Sequence, residues 1–286
     1  MSYPDLSDRA FERIRRMLYD SVGITLGPAK KALVTGRLAR RLRAHGLACF
    51  DGYVSLVESQ AAEFQTMVDL LTTNETSFFR EPRHFDFLRD SILRDHSRGR
   101  PFRVWSAASS TGEEPYSIAM TLAAHLGERA SWEVVATDIS TRVLEHGRRG
   151  VYAEEVRTRI PPDYLRAYCL KGVRGQAGAL LMDRPLRERV DFRMLNLNGS
   201  WPDMGSFQVI FLRNVMIYFD AQTKHRLINR MADRLMPGGY LFIGHSETLN
   251  GLSDRFDAVR PAIYRLKDSG GQPRAALAMH DAGSSR

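Results

Sequence analysis

Between Asp8 and about Ser91 the apolar positions recur at helical spacing. Phe11, Ile14 and Leu18 fall on one face, Phe64, Met67, Val68 and Leu71 on another, and strand-like alternation is scarce. This half predicts a small all-α domain, residues 1–91. After Gly99-Arg100-Pro101 the pattern changes to short apolar runs alternating with amphipathic stretches. Strands are expected at Phe102–Ser106, Trp132–Thr137, Phe207–Leu212 and Tyr240–Gly244, and helices at Glu114–Leu126, Thr141–Arg148 and Ala221–Leu235. Such alternation builds βαβ units and a parallel sheet with helices on both faces, an α/β domain over residues 92–267. One stretch, about Tyr168 to Phe192, departs from it. Three glycines (Gly172, Gly175, Gly178), the run Ala179–Met182 and a further apolar strand near Val190 predict a small antiparallel β insertion at about 168–192. The tail 268–286 is Gly/Ser/Ala/Gln-rich without periodicity and is expected to be disordered. No internal repeat is present.

The length of 286 residues gives room for two cores at ~150 residues per domain. No run approaches the ~20 apolar residues that span a bilayer, and the first 30 residues carry Asp5, Asp8, Glu12 and Asp20 among four arginines instead of an apolar signal core. Only Cys49 and Cys169 are present, far apart and without CxxC or Cys/His spacing. A reduced, cytoplasmic, monomeric protein with no metal site is expected. The net charge is +8, and +6 of it falls in residues 1–47, with ten Lys/Arg against four acids. An acidic partner is implied. Lys30, Arg37 and Arg41 fall on one helical stripe that suits a Glu-rich protein surface, a nucleic-acid backbone or plain solvent. Interleaved aromatics and RNA-binding signatures are lacking, so no nucleic-acid partner is expected.

Candidate chemistry collects at the strand ends. In Val104-Trp105-Ser106-Ala107-Ala108-Ser109-Ser110-Thr111-Gly112-Glu113-Glu114-Pro115 a strand ends in small residues and a helix opens with two acids. Small residues there let a ligand approach the backbone at the carboxyl edge of a parallel sheet. The segment lacks GxGxxG and puts carboxylates where a pyrophosphate would sit, which argues against a dinucleotide. Capping acids in a tight turn are the plain alternative. The second strand ends in Asp138, placed to accept from ribose hydroxyls or to serve as a turn residue. Together these features suit an adenosine with a cationic or zwitterionic tail, and S-adenosylmethionine is the common cofactor of that kind. The lead-in Met236-Pro237-Gly238-Gly239-Tyr240 is usual in such methyltransferase sheets and equally serves as a helix-ending turn. A polar cluster followed by two aromatics and an arginine marks residues 72–82, and Arg213-Asn214 with Tyr218 ends another buried strand.

Read together, TTNETSFFRE, RVWSAASSTGEEPYSIAM, VVATDIS, FLRNVMIYFD and GGYLFIGHSETL resemble the chemotaxis protein-glutamate O-methyltransferases, the CheR family, over about residues 8–267. Five separated motifs in order are far more specific than any one. The resemblance implies a helical N-terminal domain for substrate recognition, a Rossmann-like methyltransferase domain dependent on S-adenosylmethionine, and an inserted β-subdomain. It implies that Asn74, Thr76 and Arg80 of the linker 72–82 contact the cofactor, that Glu114 meets its amino-acid tail, Asp138 the ribose and Asn196-Leu197 the adenine side, and that Arg213-Asn214 contact it again. Arg80 and Tyr218 would face the reacting methyl as catalytic residues. The implied partner is the cytoplasmic signalling domain of methyl-accepting chemotaxis receptors, met by the stripe Lys30, Arg37 and Arg41. A receptor C-terminal pentapeptide at the β-subdomain is a further implied partner, although Val173-Arg174 stand where a second glycine is expected. An RNA or small-molecule methyltransferase and a non-catalytic cofactor-binding scaffold are the competing classes.

Overall fold

A computed structural model describes residues 5–96, 99–127 and 129–268. The chain opens with four helices: α1 (Asp8–Val22), α2 (Lys31–Ala44), α3 (Phe50–Ser59) and α4 (Ala61–Leu71). Helix α1 starts where Ser7 Oγ accepts from the Ala10 amide and stops at Gly23, whose φ of 76° suits glycine. The four helices share a core running from Leu6 to Leu71, with Ile14, Leu18, Val34, Leu38 and Val54 fully buried. A separate core begins at Phe78. Helix α5 (Pro82–Phe87) and the π-helical turn Leu88–Leu93 place Phe85, Leu88 and Leu93 in the same cluster as the sheet residues Val104, Val134 and Phe211. The division expected at residue 91 therefore does not match the cores: the last helical segments before β1 cover the sheet, and the helical core ends at Leu71.

The sheet domain runs β1 (Phe102–Ser106), α6 (Glu113–Leu126), β2 (Trp132–Asp138), α7 (Thr141–Arg149), β3 (Val151–Ala153), α8 (Pro162–Tyr168), β4 (Cys169–Lys171), β5 (Ala179–Met182), α9 (Arg184–Arg187), β6 (Val190–Met194), β7 (Phe207–Leu212), α10 (Ala221–Arg234), β8 (Leu235–Ile243), β9 (Phe256–Arg260) and β10 (Ile263–Leu266). Seven strands form one sheet in the order β6-β2-β1-β7-β8-β10-β9. The first five are mutually parallel, and β10 is antiparallel to both β8 and β9. The β1–α6–β2 and β7–α10–β8 crossovers bury near-continuous apolar strands between two helical layers, the usual consequence of parallel pairing. Every strand that enters the site therefore ends on one rim.

A second sheet has the order β3-β5-β4, all antiparallel. The strand near Val190, expected inside this insertion, instead pairs in parallel with β2 in the main sheet. Being an edge strand it alternates buried Val190 and Phe192 with exposed Asp191 and Arg193, the pattern that reads as antiparallel in a sequence. The insertion's real first strand, β3, is only three residues long, too short to show a period. Of the tail 268–286, all but Asp268 lies outside the described residues.

Candidate functional site

The site is built first by the turn after β1. Ala107 and Ala108 keep its wall low, Ser110 adopts φ 49°, and Gly112 adopts φ 101°. A Cβ on Gly112 would lie 2.7 Å from the Tyr152 hydroxyl and 2.9 Å from Gly147 Cα, so only glycine fits there. The tight turn sets the first turn of α6 against the sheet rim. Glu114, 8% exposed, accepts from Ser106 Oγ at 2.7 Å and from Arg213 Nη1 at 2.8 Å. Asp138, at the end of β2 and equally buried, accepts from the amides of Ser110 and Ser140, each at 2.9 Å. Burial pushes both carboxyls above their ordinary values, and these partners only partly offset it.

The linker between the two cores forms a second wall. Ser110 Oγ donates to the Asn74 carbonyl at 3.1 Å, and Arg80 Nη1 donates to the Glu75 carbonyl at 2.8 Å. Phe79 and Glu81 both carry positive φ, 50° and 59°, a strained backbone for side chains of that bulk. The linker is anchored from below by Arg213, whose guanidinium reaches the Arg80 carbonyl at 2.5 Å and Glu81 at 3.0 Å as well as Glu114. Arg213 thus borders the site with its charged head already committed to its own chain. Beside it Asn214 takes φ 56°, held by Glu247, which accepts from the amides of Asn214, Met216 and Gly244.

The end of α1 supplies the cover. Asn196 Nδ2 donates to the Ser21 carbonyl at 2.7 Å, the Thr25 amide donates to the Tyr218 carbonyl at 2.9 Å, and the Tyr19 hydroxyl donates to Asp220 at 2.5 Å. Between these walls lies a cavity of about 350 Å³. Asn74, Thr76, Arg80, Glu114, Asp138, Asn196, Leu197, Arg213, Asn214 and Tyr218, all named from the sequence, line this one cavity. Ile24, Thr25, Leu26 and Gly27 line it too, and sequence reasoning missed them because a loop between helices carries no motif. It also missed Glu81 and Glu247. Both stand inside recognisable motifs, but their partners are far off in the chain.

The basic stripe fares differently. Arg37 Nη1 donates to the carbonyls of Leu70, Leu71 and Thr72, closing the C-terminus of α4. Arg41 pairs with the buried Glu63 at 2.5 Å. Neither head is presented outward, because helix ends and buried acids inside the bundle need those cations. Lys30 is exposed and lines the cavity mouth.

The residues present suit S-adenosylmethionine. Two buried carboxylates flank a cavity large enough for a nucleoside, and the Ser110 amide of the β1 turn already donates to Asp138 instead of standing open for a phosphate. No helix among the described residues is long and apolar enough to cross a membrane.

Residues 74–264 match the family described as "CheR methyltransferase, SAM binding domain", and residues 9–72 match "CheR methyltransferase, all-alpha domain". A chemotaxis protein methyltransferase of Klebsiella aerogenes is 45% identical over 267 residues, covering 91% of this chain and 90% of that protein. That of Escherichia coli is 44% identical over 267 residues, covering 91% and 92%. Chemotaxis protein methyltransferase 2 of Pseudomonas aeruginosa is 43% identical over 256 residues, covering 89% and 91%.

Proposed function

The chain belongs to the CheR methyltransferase family, and from that premise we propose that it methylates the γ-carboxylate of glutamate residues on the signalling domain of chemotaxis receptors. The products are a glutamate methyl ester and S-adenosylhomocysteine. The observation that carries this reading is the pair of buried carboxylates, Glu114 and Asp138, on one wall of a nucleoside-sized cavity whose second wall carries Asn74, Thr76 and Arg80. Glu114 would hold the ammonium of the cofactor's amino-acid tail and Asp138 its ribose hydroxyls, while Asn196, Leu197 and Asn214 line the remaining walls.

S-adenosylmethionine, when bound, supplies an electrophilic methyl on a sulfonium. A substrate glutamate with a reference pKa of ~4.3 is already ionised at neutral pH, so the chain needs no general base. Opposite charges cancel as the methyl moves, so extra ion-pairing would favour the ground state, and the protein helps most by excluding water and by orientation. Arg80 orients the substrate carboxylate, and Tyr218 guides the attacking oxygen by a hydrogen bond. Arg213 acts through others: its head holds the Arg80 carbonyl, Glu81 and Glu114 in place.

The helical half reads the receptor, with exposed cations that include Lys30 at the cavity mouth and Arg40 on the outer side of α2. A receptor C-terminal peptide adds to the free side of β4, the outer strand of the small sheet, where Leu170 and Val173 are exposed. The loop there closes tightly. A Cβ on Gly172 would fall 1.9 Å from the Gln176 carbonyl oxygen, and Arg174 itself takes φ 53°, doing in the turn what a second glycine would do.

The test is incubation with tritiated S-adenosylmethionine and a receptor signalling domain. Label released as methanol in mild alkali supports carboxyl methylation. Alkali-stable label, or label moving to RNA with a steep salt dependence, would replace it with the second class.

A further inference from the structure

Just outside the cavity, Glu81, His84 and His245 offer an oxygen and two ring nitrogens that lie within 4.8 Å of one another. His84 is 1% exposed, and neither of its nitrogens has a hydrogen-bond partner. Its Nδ1 is 3.4 Å from Glu81 Oε2 in an orientation that makes no hydrogen bond, and His245 Nε2 is 3.8 Å from the same oxygen. A buried imidazole without partners is rare and asks for an explanation. Ligands about 2.0–2.1 Å from a tetrahedral zinc stand roughly 3.4 Å apart, close to two of these separations. Arg213 reaches the same Glu81 oxygen at 3.0 Å, so that carboxylate would serve the guanidinium and the cation together.

We infer that Glu81, His84 and His245 form a three-ligand site for a borderline divalent cation of the zinc class, with water in the fourth position. Two imidazoles and one carboxylate suit such an ion better than magnesium or calcium, which take oxygen ligands. None of the three residues lines the cofactor cavity, so the ion is not part of the transfer chemistry. Its place gives it a different use. Glu81 follows Arg80 in the strained linker, and His245 follows β8, so the ion staples the catalytic linker to the sheet rim. Half-exposed His245 gives it access from solvent. Cys and His spacing along the chain gives no sign of this group, because its three residues meet only through the fold.

The experiment uses untagged, chelator-treated full-length protein titrated with cobalt(II) up to about 0.1 mM, well above the range of folded zinc-class sites. One equivalent should bind with the visible absorption of tetrahedral cobalt and be displaced by zinc. His245→Ala should weaken binding at least tenfold while the metal-free melting temperature stays within a few degrees, which separates ligand loss from misfolding. No saturable binding to the wild type, or equal binding by wild type and His245→Ala, would overturn the site. Both readouts are independent of methyl transfer.

Discussion

Glu63 in the helical half and Glu114 at the sheet rim are both buried acids, 4% and 8% exposed, yet they are tuned in opposite directions. Burial alone would raise Glu63, but Arg41 and Tyr53 donate to it, His45 Nε2 lies 3.1 Å away, and together they hold it below the ordinary carboxylate range. Around Glu114 burial prevails, since its cation, Arg213, is shared with Glu81, and Ser106 adds a single neutral donor. Both acids lie beside arginines, so a nearby charge does not separate the two roles. What separates them is whether the chain's own donors match the carboxylate in full. A matched acid fastens helices together; an undermatched one beside a cavity is a place for a cationic ligand.

Removing the shared cation should erase the difference and have the largest effect. Arg213→Leu leaves Glu81 and Glu114 buried together without a guanidinium and should cost about 3–5 kcal/mol of stability at neutral pH, measured by urea unfolding. Next comes Arg80→Ala, which should lose about 2–4 kcal/mol of transition-state stabilisation in kcat/KM while the urea midpoint stays put. Wild-type kcat/KM in that variant would remove Arg80 from the site.

The two acids themselves give the sharpest contrast. Glu63→Gln should cost about 2 kcal/mol of stability and leave cofactor affinity unchanged. Glu114→Gln should do the reverse, weakening S-adenosylhomocysteine binding by about 10- to 100-fold in calorimetry with little loss of stability.

The smallest effect is that of pH near neutrality. Glu114 is raised in the free protein, so its protonation begins above the ordinary carboxylate value, and cofactor affinity should start to fall on mild acidification. Glu63 is depressed in the folded state. Its contribution to stability is therefore intact above the unfolded value of ~4.3 and lost only as pH falls further. Affinity should decline before the fold does.

How much of this was legible in the sequence depends on distance along the chain. Glu114 and Asp138 could be named because each ends a recognisable apolar run, and the parallel sheet delivers strand ends to one rim. Helix α1 and the two crossover units followed from period alone. Strand β6 was misplaced because an edge strand of a parallel sheet alternates like an antiparallel one. Arg37 and Arg41 looked like an outward stripe because their spacing shows which side of α2 they share and not what faces it. The α4 carbonyls and Glu63 do. Glu81 lay in a quoted motif, but its pairing with Arg213 is a fact of the tertiary fold.

A crystal structure with S-adenosylhomocysteine is the most direct test. The nucleoside should lie in the cavity under Asn74 and Thr76, its ammonium within hydrogen-bond reach of Glu114 and its ribose hydroxyls on Asp138. A nucleoside bound elsewhere, or bound here with both carboxylates still facing only their own chain, would contradict the account.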